Sequence, residues 1–457
     1  ENFEKANKQG MLAIDMGVFD PISGKTNSEI AALSRSQHKS QGFGSAAALG
    51  ERMEYLELIK GKELTRNDPF EGINTQWTRV KGGAPIGKAI EKIIEDFDFS
   101  APYKSVVPLL EVKAMILGLQ DEHWKSVKNE EVDTLILNCL GIELQLNANM
   151  PYGVLGEDLQ IKVLINNPSP LSVSLNGIQW KDQSYDLNKR LKTNQLFNKS
   201  FETKVSGSIS SPYWLIQKGS QGMYTTDKTE WIGAAKSPAA YLAELNFSIE
   251  GKKLKIRLPL HFRRTDPVRG EVVTPFHILP EAGLQLEAPV FLFATGESRR
   301  VKVNVKNLGP SIEGTLKLES PESWEFNPKS IQVAIKGKGN QSDYYFDIKA
   351  PLETTVGYLK PLLQTPTKKL QASLKEIAYN HIPKQYLVSP AQSKVVALNL
   401  KTGVKKVAYI EGAGDNIPQS LSALGVEVEM LKAKDITLKK LNPFDAVIVG
   451  IRAFNVE

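Results

Sequence analysis

Ser34, His38 and Gln41 stand at i, i+4 and i+7 in the stretch 34–44, a spacing that puts three polar side chains on one face if the segment is helical. Such a face could line a substrate pocket, with Arg35 beside it, or it could lay a hydrogen-bonded polar edge against a neighbour. A helix is expected from Ser28, as N-cap, to the glycines Gly42 and Gly44, with Glu29 in its first turn. A second set of residues with chemical potential is aromatic. Tyr213, Trp214, Tyr224 and Trp231 fall in a stretch rich in Gly and Ser, where their faces could stack on sugar rings or pack on the edge of a domain. A third is Gly412-Ala-Gly414 after an apolar run, which could leave room for an anion at a helix N-terminus or serve only the geometry of the turn.

Metal chemistry finds little support in spacing. The five histidines, at 38, 123, 261, 277 and 381, form no local pair of the kind that zinc motifs use. His261 sits on the polar side of its expected strand. The single cysteine, Cys139, lies in an apolar helical run and reads as buried, and one cysteine allows no intrachain disulfide.

Several runs resemble a known family. Residues 13–21, Gly24, 28–44 and 54–58 are similar to the end of the catalytic domain of large PIG-L/LmbE-like deacetylases, with His38, Ser40 and Gln41 matching a His-x-Ser-Gln element. Residues 265–271 (Thr-Asp-Pro-Val-Arg-Gly-Glu), 377–383 (Ile-Ala-Tyr-Asn-His-Ile-Pro) and 409–418 (Tyr-Ile-Glu-Gly-Ala-Gly-Asp-Asn-Ile-Pro) resemble landmarks of the long C-terminal region of the larger members. The resemblance implies a zinc-dependent N-deacetylase acting on N-acetylglucosamine-type glycans or glycoconjugates, with Arg35, His38 and Gln41 on one wall of the active site. It also implies an extracytoplasmic location, periplasmic or secreted. The family's His-Pro-Asp-Asp and His-x-x-His motifs are absent from this sequence, so the zinc site of such a parent is expected upstream of Glu1, and no cofactor is expected in the chain itself. The partners implied are an upstream catalytic domain of the same protein and a glycan. The alternative is a non-catalytic structural protein that binds carbohydrate or protein.

These residues need elements to position them. With 457 residues, 41% of them hydrophobic and 24% charged, the chain can bury several cores. The net charge of +6 comes from scattered lysines, densest at 401–406 and 432–440, which read as solvated faces and not as a nucleic-acid surface. No run approaches the roughly 18 apolar residues of a membrane span, and the first residues lack the apolar core of a signal peptide.

Periodicity orders the rest into a multidomain, mainly β chain. Residues 1–68 read as strand, helix and strand, the remnant of an α/β deacetylase domain. Residues 84–141 read as a small helical unit, with stripes at Ile86, Ile90, Ile93, Ile94 and Phe97, then at 106–119 and 132–140, and Pro108 in a first helical turn. The period then falls to two. Leu159, Ile161, Val163 and Ile165, and later one expected strand through Leu254, Ile256, Leu258, Leu260 and Phe262, frame an immunoglobulin-like sandwich at 142–266. Asp266-Pro-Val-Arg-Gly270 reads as a linker to a second such sandwich at 271–400, with strands through Val301, Val303 and Val305 and through Phe346 and Ile348, and a turn at 307–310. Residues 404–457 read as strand, helix, strand and strand, the start of a flavodoxin-like domain of glutamine-amidotransferase type without that enzyme's cysteine at the nucleophile turn.

Overall fold

The computed structural model describes residues 8–455 apart from 182 and 400–402. The chain is mainly β and divides into two compact units, the first taking in the described residues up to Phe97 with Glu111–Val132, the second Asp98–Leu110 with everything from Asp133.

In the first unit, strands Leu12–Asp15 and Met53–Leu56 pair antiparallel around helix α1, Asn27–Ser36. The N-cap is Thr26, two residues before the expected Ser28. Its hydroxyl accepts from the Glu29 backbone N–H while the Glu29 carboxylate accepts from the Thr26 N–H, a complete capping box. Ser28 lies inside the helix instead, buried, its hydroxyl donating to the Met16 carbonyl. The helix also ends earlier than expected, at Ser36. Ser36 and Gln37 turn their side chains back onto backbone groups of Ser45 and Leu33, offering the chain an alternative to further helical bonds before either glycine is reached.

Three longer helices follow: α2, Ala84–Glu95; α3, Val106–Leu117; and α4, Glu122–Leu140. Pro85 and Pro108 occupy first turns, where a missing N–H costs nothing. Of the first apolar stripe only Ile86 is fully buried, and Ile94 is exposed; Cys139 is half-buried. The division between the two compact units passes through α3 and α4.

The second unit holds two sandwiches in tandem and a small α/β layer. In the first sandwich a five-stranded sheet runs in the order Phe197–Lys204, Asp158–Asn166, Glu143–Ala148, His261–Asp266, Gly270–Pro275. Opposite it is a four-stranded sheet ordered Lys252–Pro259, Leu242–Ile249, Val173–Trp180, Gln183–Leu191. Leu159, Ile161, Val163 and Ile165 all point inward, as their alternation predicts, and Trp180 of one sheet meets Phe201 of the other edge-on at 5.1 Å. The strand expected through Leu254 and Phe262 is two strands. The chain breaks at buried Leu260 and changes sheets, a step that period-two alternation does not reveal. The expected linker at 266–270 is a hairpin turn within the five-stranded sheet. Asp266 Oδ1 accepts from the N–H groups of Val268 and Arg269, and the chain returns as Gly270–Pro275.

The second sandwich closes around one core. Val301, Val303, Val305, Phe346 and Ile348 face Phe293, Leu316, Leu359, Leu363 and Val395 across it, each buried at roughly 1.5–3 kcal/mol. The turn at 307–310 is as expected: Asn307, fully buried, accepts from the Gly309 N–H and donates to the Ile335 and Gly337 carbonyls. The junction between the sandwiches has its own small core of Val154, Leu279, Leu308 and Tyr386, and strand His277–Leu279 pairs in parallel with Tyr152–Val154 across it.

At the C-terminal end, strand Lys406–Ile410 lies between Glu427–Leu431 and Ala446–Val449, all parallel, with helix α5, Ile417–Ala423, between the first two in sequence. The order second, first, third is that with which flavodoxin-like sheets begin.

Candidate functional site

The sequence-derived residues separate into three places. Arg35, His38 and Gln41 lie at the exposed end of α1, but on a different scaffold from that expected. Because the helix stops at Ser36, His38 heads a single 3₁₀ turn, Lys39–Gln41, that Gly42 closes in a left-handed conformation. His38 Nδ1 and Gln41 Oε1 are 2.9 Å apart, the His38 ring lies 6.0 Å from that of Phe43, and the Arg35 guanidinium sits 5.5 Å over the same phenyl. Three of the four polar residues therefore gather around Phe43, while Ser34 stays on the helix. The zinc that the resemblance implies for the parent family has no donor set here: among the described residues no three His, Cys, Asp or Glu side chains gather closely enough to hold a metal.

The aromatic residues fold partly onto one another. Tyr213 is buried, its hydroxyl donating to the Ala234 carbonyl, and Trp214 and Trp231 pack edge-on against it at 5.0 and 6.0 Å. Tyr224 stands exposed elsewhere in the same loop. Tyr213 and Trp231 instead help to wall a cavity of about 570 Å³. Its other walls come from the end of strand Gly270–Pro275 with Phe276 and His277, and from residues 382–386 of the second sandwich.

Sequence reasoning missed this cavity because some of its walls lie more than a hundred residues apart, although one of the singled-out runs borders it and a second bonds to that run. Ile382 and Pro383 of the run 377–383 line it, and Arg269 of the run 265–271 donates to Asn380 Oδ1 at 2.6 Å. His277 forms part of the wall. Burial drives its imidazole down to about 4, the Lys384 backbone only partly opposing this, so the ring is neutral at pH 7, and its Nε2 is buried with no hydrogen-bond partner among the described residues. His261, expected on an exposed face, is half-buried, and burial lowers its pKa as well.

The third place is a cleft of about 680 Å³ beside strand Lys406–Ile410, lined by Tyr409, Glu411, Gly412, Asp415 and Glu287 among others. The Tyr409 hydroxyl donates to Asp415 Oδ2 at 2.5 Å, which pushes the phenol up to about 12 and lowers the Asp415 carboxyl. Gly412 is required by geometry, since a Cβ there would come within 2.2 Å of the Ile451 carbonyl oxygen.

No protein-family description and no curated protein matches the chain. Solved structures give distant likenesses. An α2-macroglobulin of E. coli is 12% identical over 56% of this chain and 17% of its own, with a TM-score of 0.20. A red sea bream transglutaminase is 12% identical over 61% and 34%, at 0.23. A family 123 glycoside hydrolase from Clostridium perfringens, described for glycolipid glycan hydrolysis, is 9% identical over 29% and 30%, at 0.16. The chain spans about a third or less of each of these three proteins, and scores this low transfer neither fold nor function. Among the described residues no helix is long and apolar enough to cross a membrane.

Proposed function

We propose that the chain is the accessory, substrate-positioning portion of a PIG-L-like zinc-dependent N-deacetylase acting on N-acetylglucosamine-type glycans or glycoconjugates outside the cytoplasm, the zinc ligands belonging to a separate catalytic part. The observation that supports this is the uncovered apolar surface of residues 11–73. Ile22, Leu49 and Ile59 are 96, 94 and 94% exposed, Val18, Phe19, Leu33, Phe43 and Phe70 are also exposed, and α1 buries only Ser28. A two-stranded ladder is marginal alone in water, and so many exposed large apolar side chains within one short stretch favour a partner that covers them. An α/β catalytic domain would pair the free strand edges, cover the apolar residues and set Arg35, His38 and Gln41 at its rim. The two sandwiches would then hold the glycan-bearing substrate relative to that rim.

The experiment mixes this chain with a zinc-loaded PIG-L-type catalytic domain. Expected are a one-to-one complex, slowed amide exchange across residues 12–56, loss of the complex in Leu33→Asp, and faster deacetylation of an N-acetylglucosamine polymer. Absence of a complex, or turnover that ignores the chain, sinks the reading.

A further inference from the structure

We propose that the cavity between the 208–240 loop and residues 382–386 binds an apolar monocarboxylate, an alkyl chain with one anionic head. At about 570 Å³ its size is that of a small-molecule site. Ile216, Trp231, Ala239, Phe276, Ile382 and Pro383 make most of its wall apolar.

Two serine hydroxyls on the wall are already engaged, and His277 Nε2 is a buried polar atom there with no partner among the described residues. Ser210 Oγ accepts from the Ile278 N–H at 2.9 Å, and Ser237 Oγ accepts from the Tyr213 N–H at 2.9 Å while donating to the Ser211 carbonyl at 3.0 Å. A sugar would bury its hydroxyl groups against a wall with few groups left to pair them, at a cost of about 1–3 kcal/mol each. An alkyl chain needs no such partners.

Charge selects the head group. Among the described residues no Asp or Glu lines the cavity. Lys384 is tied to Glu376 at 2.6 Å, whereas Lys236, also lining the cavity, is exposed and makes no ion pair among the described residues. An anionic head at Lys236 with the chain directed toward Trp231 and Phe276 satisfies both halves of the site.

Calorimetric titration of the chain with decanoate, decanol and anionic phospholipid vesicles tests this. Expected are one decanoate per chain, binding by decanol weaker by about tenfold or more, the loss of one charge-assisted hydrogen bond, and no adsorption to vesicles. Lys236→Glu, at an exposed position, should weaken decanoate by a similar factor without affecting the fold. Ala239→Trp should fill the cavity and abolish binding; if circular dichroism shows that variant unfolded, Ile216→Trp takes its place. Decanoate binding that survives both substitutions overturns the proposal, as does the absence of saturable binding, a preference for decanol, or binding only to vesicles. None of these outcomes bears on the deacetylase reading, which concerns residues 11–73.

Discussion

Beside its small apolar core, the junction between the sandwiches is fastened by one lysine, whose removal has a calculable effect. Gly337 and Gly339, both at φ near +85°, turn the hairpin so that Lys338 reaches the first sandwich. Its Nζ lies 2.8 Å from both carboxylate oxygens of Glu157, 2.9 Å from the Tyr152 carbonyl and 3.1 Å from Met150 Sδ, and 4.8 Å over the Tyr152 ring. Glu157 is 11% exposed and also accepts from the Val154 N–H at 2.9 Å; Lys338 is 25% exposed. Removing one partner of a buried pair costs about 3–5 kcal/mol, mostly the cost of leaving the other charge buried. Because Lys338 is a quarter exposed, Lys338→Met should cost about 2–4 kcal/mol, and Glu157→Gln less, since the amide oxygen can keep the Val154 bond. The double variant should recover about 1–2 kcal/mol of the summed loss, because no charge is then stranded. Urea unfolding gives the three free energies, and amide exchange at Val154 reports whether the junction opens by itself. Single variants within about 0.5 kcal/mol of the parent, or strict additivity, would refute the assignment of this pair as the fastening between the sandwiches.

Three further outcomes follow from individual sites. Asn307→Ala strands one N–H and two carbonyls in a fully buried turn and should cost about 2–4 kcal/mol by urea denaturation, with the parent's fluorescence otherwise retained. His277 is neutral in the fold down to about pH 4 but takes up its proton near 6.5 when unfolded. The unfolded state therefore binds more protons in that window, and stability should fall by up to about 3 kcal/mol as pH drops from 6.5 to 4. His277→Phe should flatten that part of the profile in thermal melts, and an unchanged profile would contradict the burial argument. Asp415→Asn replaces the charged acceptor that holds the Tyr409 proton by a neutral one, so ultraviolet titration should find one phenol moving from about 12 toward the usual value near 10.

Much of the local structure was legible because it depends on neighbours in sequence. Alternation in 159–165 and in 301–305 marked half-buried strands, the three helical stripes marked α2 to α4, and the apolar runs at 405–410 and 446–450 marked parallel strands, the first of them buried almost throughout. Boundaries failed where one local chemistry serves two purposes. Asp266-Pro-Val-Arg-Gly270 has the composition of a linker and of a hairpin turn alike, and only the pairing of Thr265 with Glu271 across it distinguishes them. The end of α1 at Ser36 likewise depended on Ser45, a partner that helix-stop rules do not see. At the candidate site, the sequence named Tyr213 and Trp231 but could not place them.

By itself, then, the sequence determined the main helices and the alternating strands without all their boundaries, that the chain is a series of β-rich modules, and that the α1 end carries a histidine, a glutamine and an arginine close together. Tertiary structure alone decided that apolar residues such as Ile22, Leu49 and Ile59 stay exposed, that Lys338 meets Glu157 across 181 residues, and that residues near 213, 277 and 384 enclose one cavity. The physical reason is range. Secondary structure follows from hydrogen bonds and side-chain periodicity within a few residues, whereas burial, desolvation and the enclosure of a ligand-sized space are properties of surfaces that the chain brings together only when it folds.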